Sequence, residues 1–377
     1  MPKRKKHTSV CYIIAASKKH LFSTLFKEGD TFMGFKKTAG FIFAAAVALN
    51  SCLPAFAAET AAAKTKVEVS LDTIQSVMET YSGDIKTITN NWHIAKNNYN
   101  DVKDTDDVQE KYYKTQYKIA EAQYGAKVSS QVLSAKQQYL AFCADNEELA
   151  SMKKSYDVKN AKAAYYNAAL AGGYISQNDF NDYTQDAAKA KNSYEAKDAE
   201  VTRERAALRT LLSIPSDCVM DIQPVPDSAF DFSGIAGINY GQDVILMANN
   251  DPNIRTADLN YDYTDAEGTD SGTIENSQIA LSQTEASEKA AFKKLYDTLQ
   301  SSYSAYQTET QSYTQAKQTA DTENKKSELG YSSQADADSA ALALQSEKSA
   351  YFAARNSVYI NYLQYTNMKN GLGSISA

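Results

Sequence analysis

Histidine, cysteine, proline and tryptophan are all scarce in this 377-residue chain. His93 is the only histidine beyond residue 57, which excludes a histidine cluster and leaves most acid–base arrangements without their usual residue. No glycine-rich phosphate loop, nucleophile elbow or zinc-ligand spacing appears. The run DVKDTDDVQE (101–110) lacks the glycine and terminal Glu spacing of an EF-hand and reads as a solvated turn. The chain is therefore expected to be no enzyme and to need no metal or cofactor. Trp92, the only tryptophan, and its neighbour His93 read as ordinary helix packing. Beyond residue 57 the cysteines are Cys143 and Cys218. Export would permit a disulfide between them, but two cysteines are no disulfide framework, and two unpaired thiols is the plainer reading.

Long apolar runs are equally rare. The one exception follows Met33, in MGFKKTAGFIFAAAVALNSCLPAFAAET. Two lysines, an apolar stretch through Leu49 and Ala55-Phe56-Ala57 form the three regions of a signal peptide, expected to be cleaved after Ala57. The alternative is a lipoprotein at Cys52, although Asn50 fits a lipobox poorly. Residues 1–32 fit no part of a signal peptide. Lys27-Glu28-Gly29 can be encoded by a purine-rich ribosome-binding site just upstream of Met33, so 1–32 reads as an untranslated or leader extension. Residues 1–57 hold nine Lys/Arg and two Asp/Glu, and without them the net charge falls from −7 to −14. Such an acidic chain lacks the clustered cations that nucleic acid requires.

Proline marks the division of the rest. Pro215, Pro224 and Pro226 fall with three glycines in 213–241, which reads as a linker between a first half, 58–212, and a second, 242–377. The halves repeat one another. GGYISQNDF (172–180) returns as LGYSSQADA (329–337) at a spacing of 157, and Tyr139, Tyr156, Lys191 and Tyr194 meet Tyr296, Tyr313, Lys348 and Tyr351 at that same spacing. At the front of each half, Met78, Ile85, Lys86 and Thr87 meet Met247, Ile254, Arg255 and Thr256 at 169. The first half thus carries twelve extra residues between Thr87 and Tyr139.

The long segments are helical. No proline or glycine interrupts 273–329, and Phe292, Leu295, Leu299, Tyr303, Tyr306, Tyr313 and Ala320 recur in steps of three, four and seven. That is a narrow coiled-coil seam, richer in Tyr and Ala than in Leu and Ile, and it needs partners on both sides. Gly173 and Gly330 stand where a helix ends in the left-handed conformation. Ser176 and Ser333 then cap the next helix, with Asp179 and Asp336 at its third position. Each repeat is a tight reversal between two long helices.

Together these features resemble the TolC family of outer-membrane efflux proteins. That family's pattern is a tandem helical hairpin whose tip reads Gly-x-Ile/x-Ser/Thr-x-x-Asp. AKNSYEAKDAEVTRERAALRTLLSIP and EKSAYFAARNSVYINYLQYTNMKNGLG are similar to its descending helices, and DVILMANNDPNIRTADLN to its leading segment. The resemblance spans about residues 69–373 and implies an all-α fold of two tandem coiled-coil hairpins, the protomer of a TolC-like α-barrel. It further implies a homotrimeric, passive exit duct in the cell envelope. The tips Gly173, Tyr174, Ser176, Asp179, Gly330, Tyr331, Ser333 and Asp336 would dock a periplasmic adaptor subunit, which links the duct to an inner-membrane transporter. Asp336, with the neighbouring Asp338, would ring the closed aperture.

One departure is large. The family inserts strands that close into an outer-membrane β-barrel, and such strands need about ten alternating residues. The corresponding places, 97–113 and 261–277, are dominated by Asp, Asn, Thr, Lys and Gly. No transmembrane strands are expected. An alternative reading is an extracytoplasmic coiled-coil scaffold or spacer of the envelope.

Overall fold

The computed structural model describes residues 65–105 and 107–373. The expected signal peptide, its cleavage point and Cys52 lie outside the described residues. The first half runs β1 (Lys66–Val69), α1 (Ile74–Tyr81), α2 (Gly83–Val102), α3 (Asp107–Ala171) and α4 (Gln177–Leu211). The second runs α5 (Tyr240–Asn250), α6 (Pro252–Ala266), α7 (Ser271–Glu328) and α8 (Gln334–Lys369), with β2 (Val219–Ile222) between the halves. At about 1.5 Å of rise per residue, the 65-residue α3 is about 98 Å long and the 58-residue α7 about 87 Å.

Local chemistry sets these elements. The Ser82 hydroxyl accepts from the Ile85 amide to start α2. At the equivalent place Asp251 accepts from Asn253 at 2.9 Å and Ile254 at 3.0 Å, and Pro252 supplies the fixed φ of a first helical turn. The twelve extra residues are helix. α2 has 20 residues against 15 in α6 and α3 has 65 against 58 in α7, while both connecting turns have four. The insertion therefore lengthens both arms of the first hairpin at the end opposite Gly173. Segments 97–113 and 261–277 are helix–turn–helix, with Asp104 and Gly268 at positive φ in the turns. Among the described residues the strands are β1 and β2 alone, and no helix is long and apolar enough to cross a membrane.

The helices lie side by side. α3 packs along α4 on one flank and α8 on the other, and α8 packs along α7. The order is α4, α3, α8, α7 towards the glycine turns. Towards the other end it is α2, α3, α6, α7. Two apolar clusters sit where the short helices meet the long ones. One gathers Val69, Ile74 and Met78 with Tyr139, Leu208 and Met220; the other gathers Phe232, Ile235 and Met247 with Phe292, Leu299 and Tyr365. Each is anchored by a tyrosine hydroxyl: Tyr139 donates to the Gln223 carbonyl at 2.7 Å, and Tyr365 to Asp243 at 2.8 Å.

The Pro/Gly stretch is more structured than a linker. β2 pairs in parallel with β1, Val67 opposite Met220. Ile214, Met220, Phe232 and Ile235 are buried, and the Arg209 guanidinium donates to the Pro215 and Cys218 carbonyls. Cys143 and Cys218 are free thiols.

Candidate functional site

Beyond the two clusters, the hairpin arms hold together by very little. Ala163, Ala187, Ala320 and Ala337 are the buried side chains nearest the glycine turns. Between them tyrosine rings form rungs across each hairpin. Tyr156 stacks on Tyr194 at 6.2 Å, and the repeat-equivalent Tyr313 on Tyr351 at 5.1 Å. Closer to the first turn, Tyr166 stacks on Tyr183 at 3.8 Å. Alanine lets the helices approach and tyrosine supplies flat area with a polar end, so the seam is narrow yet registered.

The two turns are built from the same bonds. Gly173 at φ +74° donates to Leu170 and Tyr174 donates to Ala169; Gly330 at φ +77° donates to Ser327 and Tyr331 to Lys326. This pair of reverse bonds closes a helix C-terminus. Space around both glycines is open, so the left-handed backbone, not crowding, demands glycine. After each turn a capping box starts the descending helix. The Ser176 hydroxyl accepts from Asp179, whose carboxylate accepts from the Ser176 amide at 3.2 Å. Ser333 and Asp336 do the same at 3.2 Å in both directions. Those bonds, the Ser333 hydroxyl first, hold the Asp336 carboxyl below its ordinary value.

Each tip thus brings its four expected residues into one turn and leaves its tyrosine outside. Tyr174 is 85% exposed and Tyr331 81%, against a background of half-buried rungs. Asp336 and Asp338 differ in surroundings. Asp336 is committed to its own cap. Asp338 accepts from Gln334 at 3.0 Å and meets Lys162 of the other hairpin at 3.7 Å, with that ammonium also 5.6 Å from the Tyr183 ring centre.

A charged cluster between α3 and α4 was not foreseen from the sequence. The Lys197 ammonium lies 2.7 Å from Asp145, 2.9 Å from Glu148 and 3.4 Å from Glu200. Burial alone would lower this lysine, but the bonds to Asp145 and Glu148 outweigh it and hold it above the ordinary value. Glu204 is pushed up to about 7, by burial first and then by Asp145 and Glu200. Among the described residues Asp145, Glu200 and Glu204 form the one group close enough to hold a cation, and the lysine already provides that charge. Lys197, Glu200 and Glu204 share a helical face in the sequence; Asp145, 52 residues before Lys197, does not announce itself as a partner.

No family model and no curated protein matches the chain in sequence. Solved structures do match its shape. The Campylobacter jejuni CmeC outer membrane channel superposes with a TM-score of 0.57 at 9% identity, covering 87% of this chain and 95% of its own. The outer membrane protein VceC from Vibrio cholerae gives 0.56 at 10% identity over 81% and 96%. The Neisseria gonorrhoeae MtrE outer membrane channel in its open state gives 0.52 at 14% over 80% and 89%. The fold is TolC-like. In that frame the glycine turns are the tips of a TolC-like hairpin pair. The opposite end, where the family resemblance calls for strands, is made of the α2–α3 and α6–α7 hairpins.

Proposed function

We propose that the chain is the protomer of a TolC-like export duct, a passive conduit through the cell envelope served by a partner transporter through an adaptor subunit. The observation that carries this reading is the pair of identically capped, tyrosine-tipped turns on a TolC-like fold. Repetition also supplies a way to close a tube. Inside the chain the two hairpins meet along α3 and α8, where Lys348 pairs with Glu147 at 3.0 Å and Asp338 with Lys162. At the repeat spacing of 157 these correspond to Lys191, Ser304, Asn181 and Thr319, and all four are exposed on the outer helices α4 and α7. The positions that join two halves of one chain thus recur exposed at its two flanks, as Lys191 opposite Ser304 and Asn181 opposite Thr319 in place of the two ion pairs, and copies can join there head to tail into a ring. Three copies would give the twelve-helix tube that the resemblance implies, with six tips facing the adaptor and Asp336 and Asp338 near the aperture.

The barrel-less end favours a second reading, an extracytoplasmic coiled-coil scaffold. Tip chemistry separates the two. The double variant Tyr174→Asp/Tyr331→Asp is expected to lose capture of the cognate adaptor while its helix content by circular dichroism stays unchanged. Undiminished capture would remove the tips as the docking face.

A further inference from the structure

A groove of about 490 Å³ runs between α3 and α8. On α8 it extends from Ser349 to Gln364, about 22 Å at a rise of about 1.5 Å per residue. Helix geometry sets the face on which it opens, because residues two apart on a helix stand about 200° apart. Gln137 and Ala141 of the groove each lie two residues from Tyr139, and Ser357 lies two from both Arg355 and Tyr359. Those three side chains look the other way. Tyr139 donates to Gln223, the Arg355 guanidinium lies 3.9 Å from the Phe230 ring centre, and Tyr359 meets the same ring at 5.6 Å. The stretch 213–241 thus covers one face of the helical layer, and the groove opens on the opposite one. In the proposed ring, twelve helices about 10 Å apart make a tube of radius about 19 Å. Three copies of that stretch would block such a bore, so the groove face is the one that lines it.

The groove has two kinds of wall. Leu140 and Ile360, both buried, form an apolar floor with Phe352 beside it. Asn356 donates to the Leu140 carbonyl at 3.2 Å and leaves its own Oδ1 buried without a partner, an acceptor that a bound N–H would satisfy. At the end nearer the glycine turns stand Asp145 and Glu148. They belong to a group of four carboxylates, with Glu200 and Glu204, gathered around the single Lys197 ammonium. Among the described residues no lysine or arginine lines the groove. The α8 cations of this stretch are committed on the other face, Lys348 to Glu147 and Arg355 to Phe230. Nor does the repeat call for the groove: at a spacing of 157 Asp145, Glu148 and Phe352 correspond to Ser302, Ala305 and Glu195.

We infer that this groove binds an organic cation with an apolar body, its charge against Asp145 and Glu148 and its body on Leu140, Phe352 and Ile360. A compact hydrated metal ion would leave the apolar floor unused. The inference rests on the duct reading for the groove's opening into the bore and for naming such cations as the cargo class. Binding itself needs one chain only, since both walls belong to it.

Ethidium, a planar aromatic cation, serves as the probe, followed by fluorescence anisotropy on the full-length protein in about 0.15 M salt. Saturable binding of one ethidium per chain is expected, and none of fluorescein, an aromatic anion of similar size. Glu148→Gln removes a groove charge, and Ala353→Trp, from an exposed position on the rim, fills the groove. Each is expected to raise the Kd for ethidium about fivefold or more with helix content unchanged; Ser357→Trp, exposed on the same rim, replaces Ala353→Trp if that variant loses helix. Absent saturation, equal binding of fluorescein, or an unchanged Kd in either kind of variant would overturn the site. The native mass of the same sample keeps the two readings apart. A trimer that binds no ethidium would remove the groove and leave the duct; a monomer that binds it, with the expected loss in both variants, would remove the duct and leave the site.

Discussion

Glu204 shows how a single residue can carry a testable consequence in a helix otherwise covered with carboxylates. Its carboxyl titrates at 4.5 when unperturbed and is pushed up to about 7 in the fold. Between those values the folded state holds a proton that the unfolded state has released, so stability falls as pH rises from 4.5 to about 7 and is flat beyond. Protonated, Glu204 can donate to Asp145; ionised, it adds a third negative charge beside Asp145 and Glu200, and its Oε2 is buried without a partner. Lys197 offsets part of that charge. Glu204→Gln removes the titration and is expected to stabilise the protein above pH 7, on the order of 1 kcal/mol once solvent screening is allowed for. Urea unfolding at pH 5 and pH 8 checks it: the wild-type protein should lose stability between the two and the variant should not.

At the scale of elements, stability is unevenly placed along each hairpin. Phe292 is fully buried, stacked on Tyr365 at 4.7 Å and Tyr240 at 5.8 Å, whereas the arms nearer the tips rest on alanines and tyrosine rungs. Phe292→Ala is expected to cost about 3–5 kcal/mol. Tyr331→Ala, at an exposed tip, should stay within about 0.5 kcal/mol of wild type. Equal losses at both positions in chemical unfolding would contradict this division. The same unevenness explains what could be read from the sequence. The seam from Phe292 to Ala320, the glycine reversals and the serine caps are local patterns, and each appears in the structure where its spacing puts it. The β1–β2 pair was hidden because four residues of KVEV meet four of VMDI some 150 positions later, and neither strand is marked by its neighbours. The twelve extra residues were legible as a length difference, but their division between α2 and α3 depends on where the turn falls. Lys197 and its carboxylates were illegible because helix faces meet only once α3 and α4 have folded together.

For the whole molecule, the doubled hairpin accounts for both the fold and its incompleteness. A two-hairpin layer leaves α4 and α2 open on one flank and α7 on the other, and the narrow seams between helices bury too little for such a long layer to be comfortable alone. Within the chain the solution is to place the second half against the first. In the proposed ring the same positions would meet between chains and cover the remaining flanks, with polar pairs where the internal contact has ion pairs, and a head-to-tail contact that closes yields a ring of fixed number. The end opposite the tips needs no lipid in this account, because helical hairpins occupy the places where membrane strands would stand. The most direct measurement is the native mass of residues 58–377 purified without detergent, by sedimentation together with native mass spectrometry. The account predicts an elongated, soluble trimer. A stable elongated monomer would contradict the duct and leave a coiled-coil scaffold in its place.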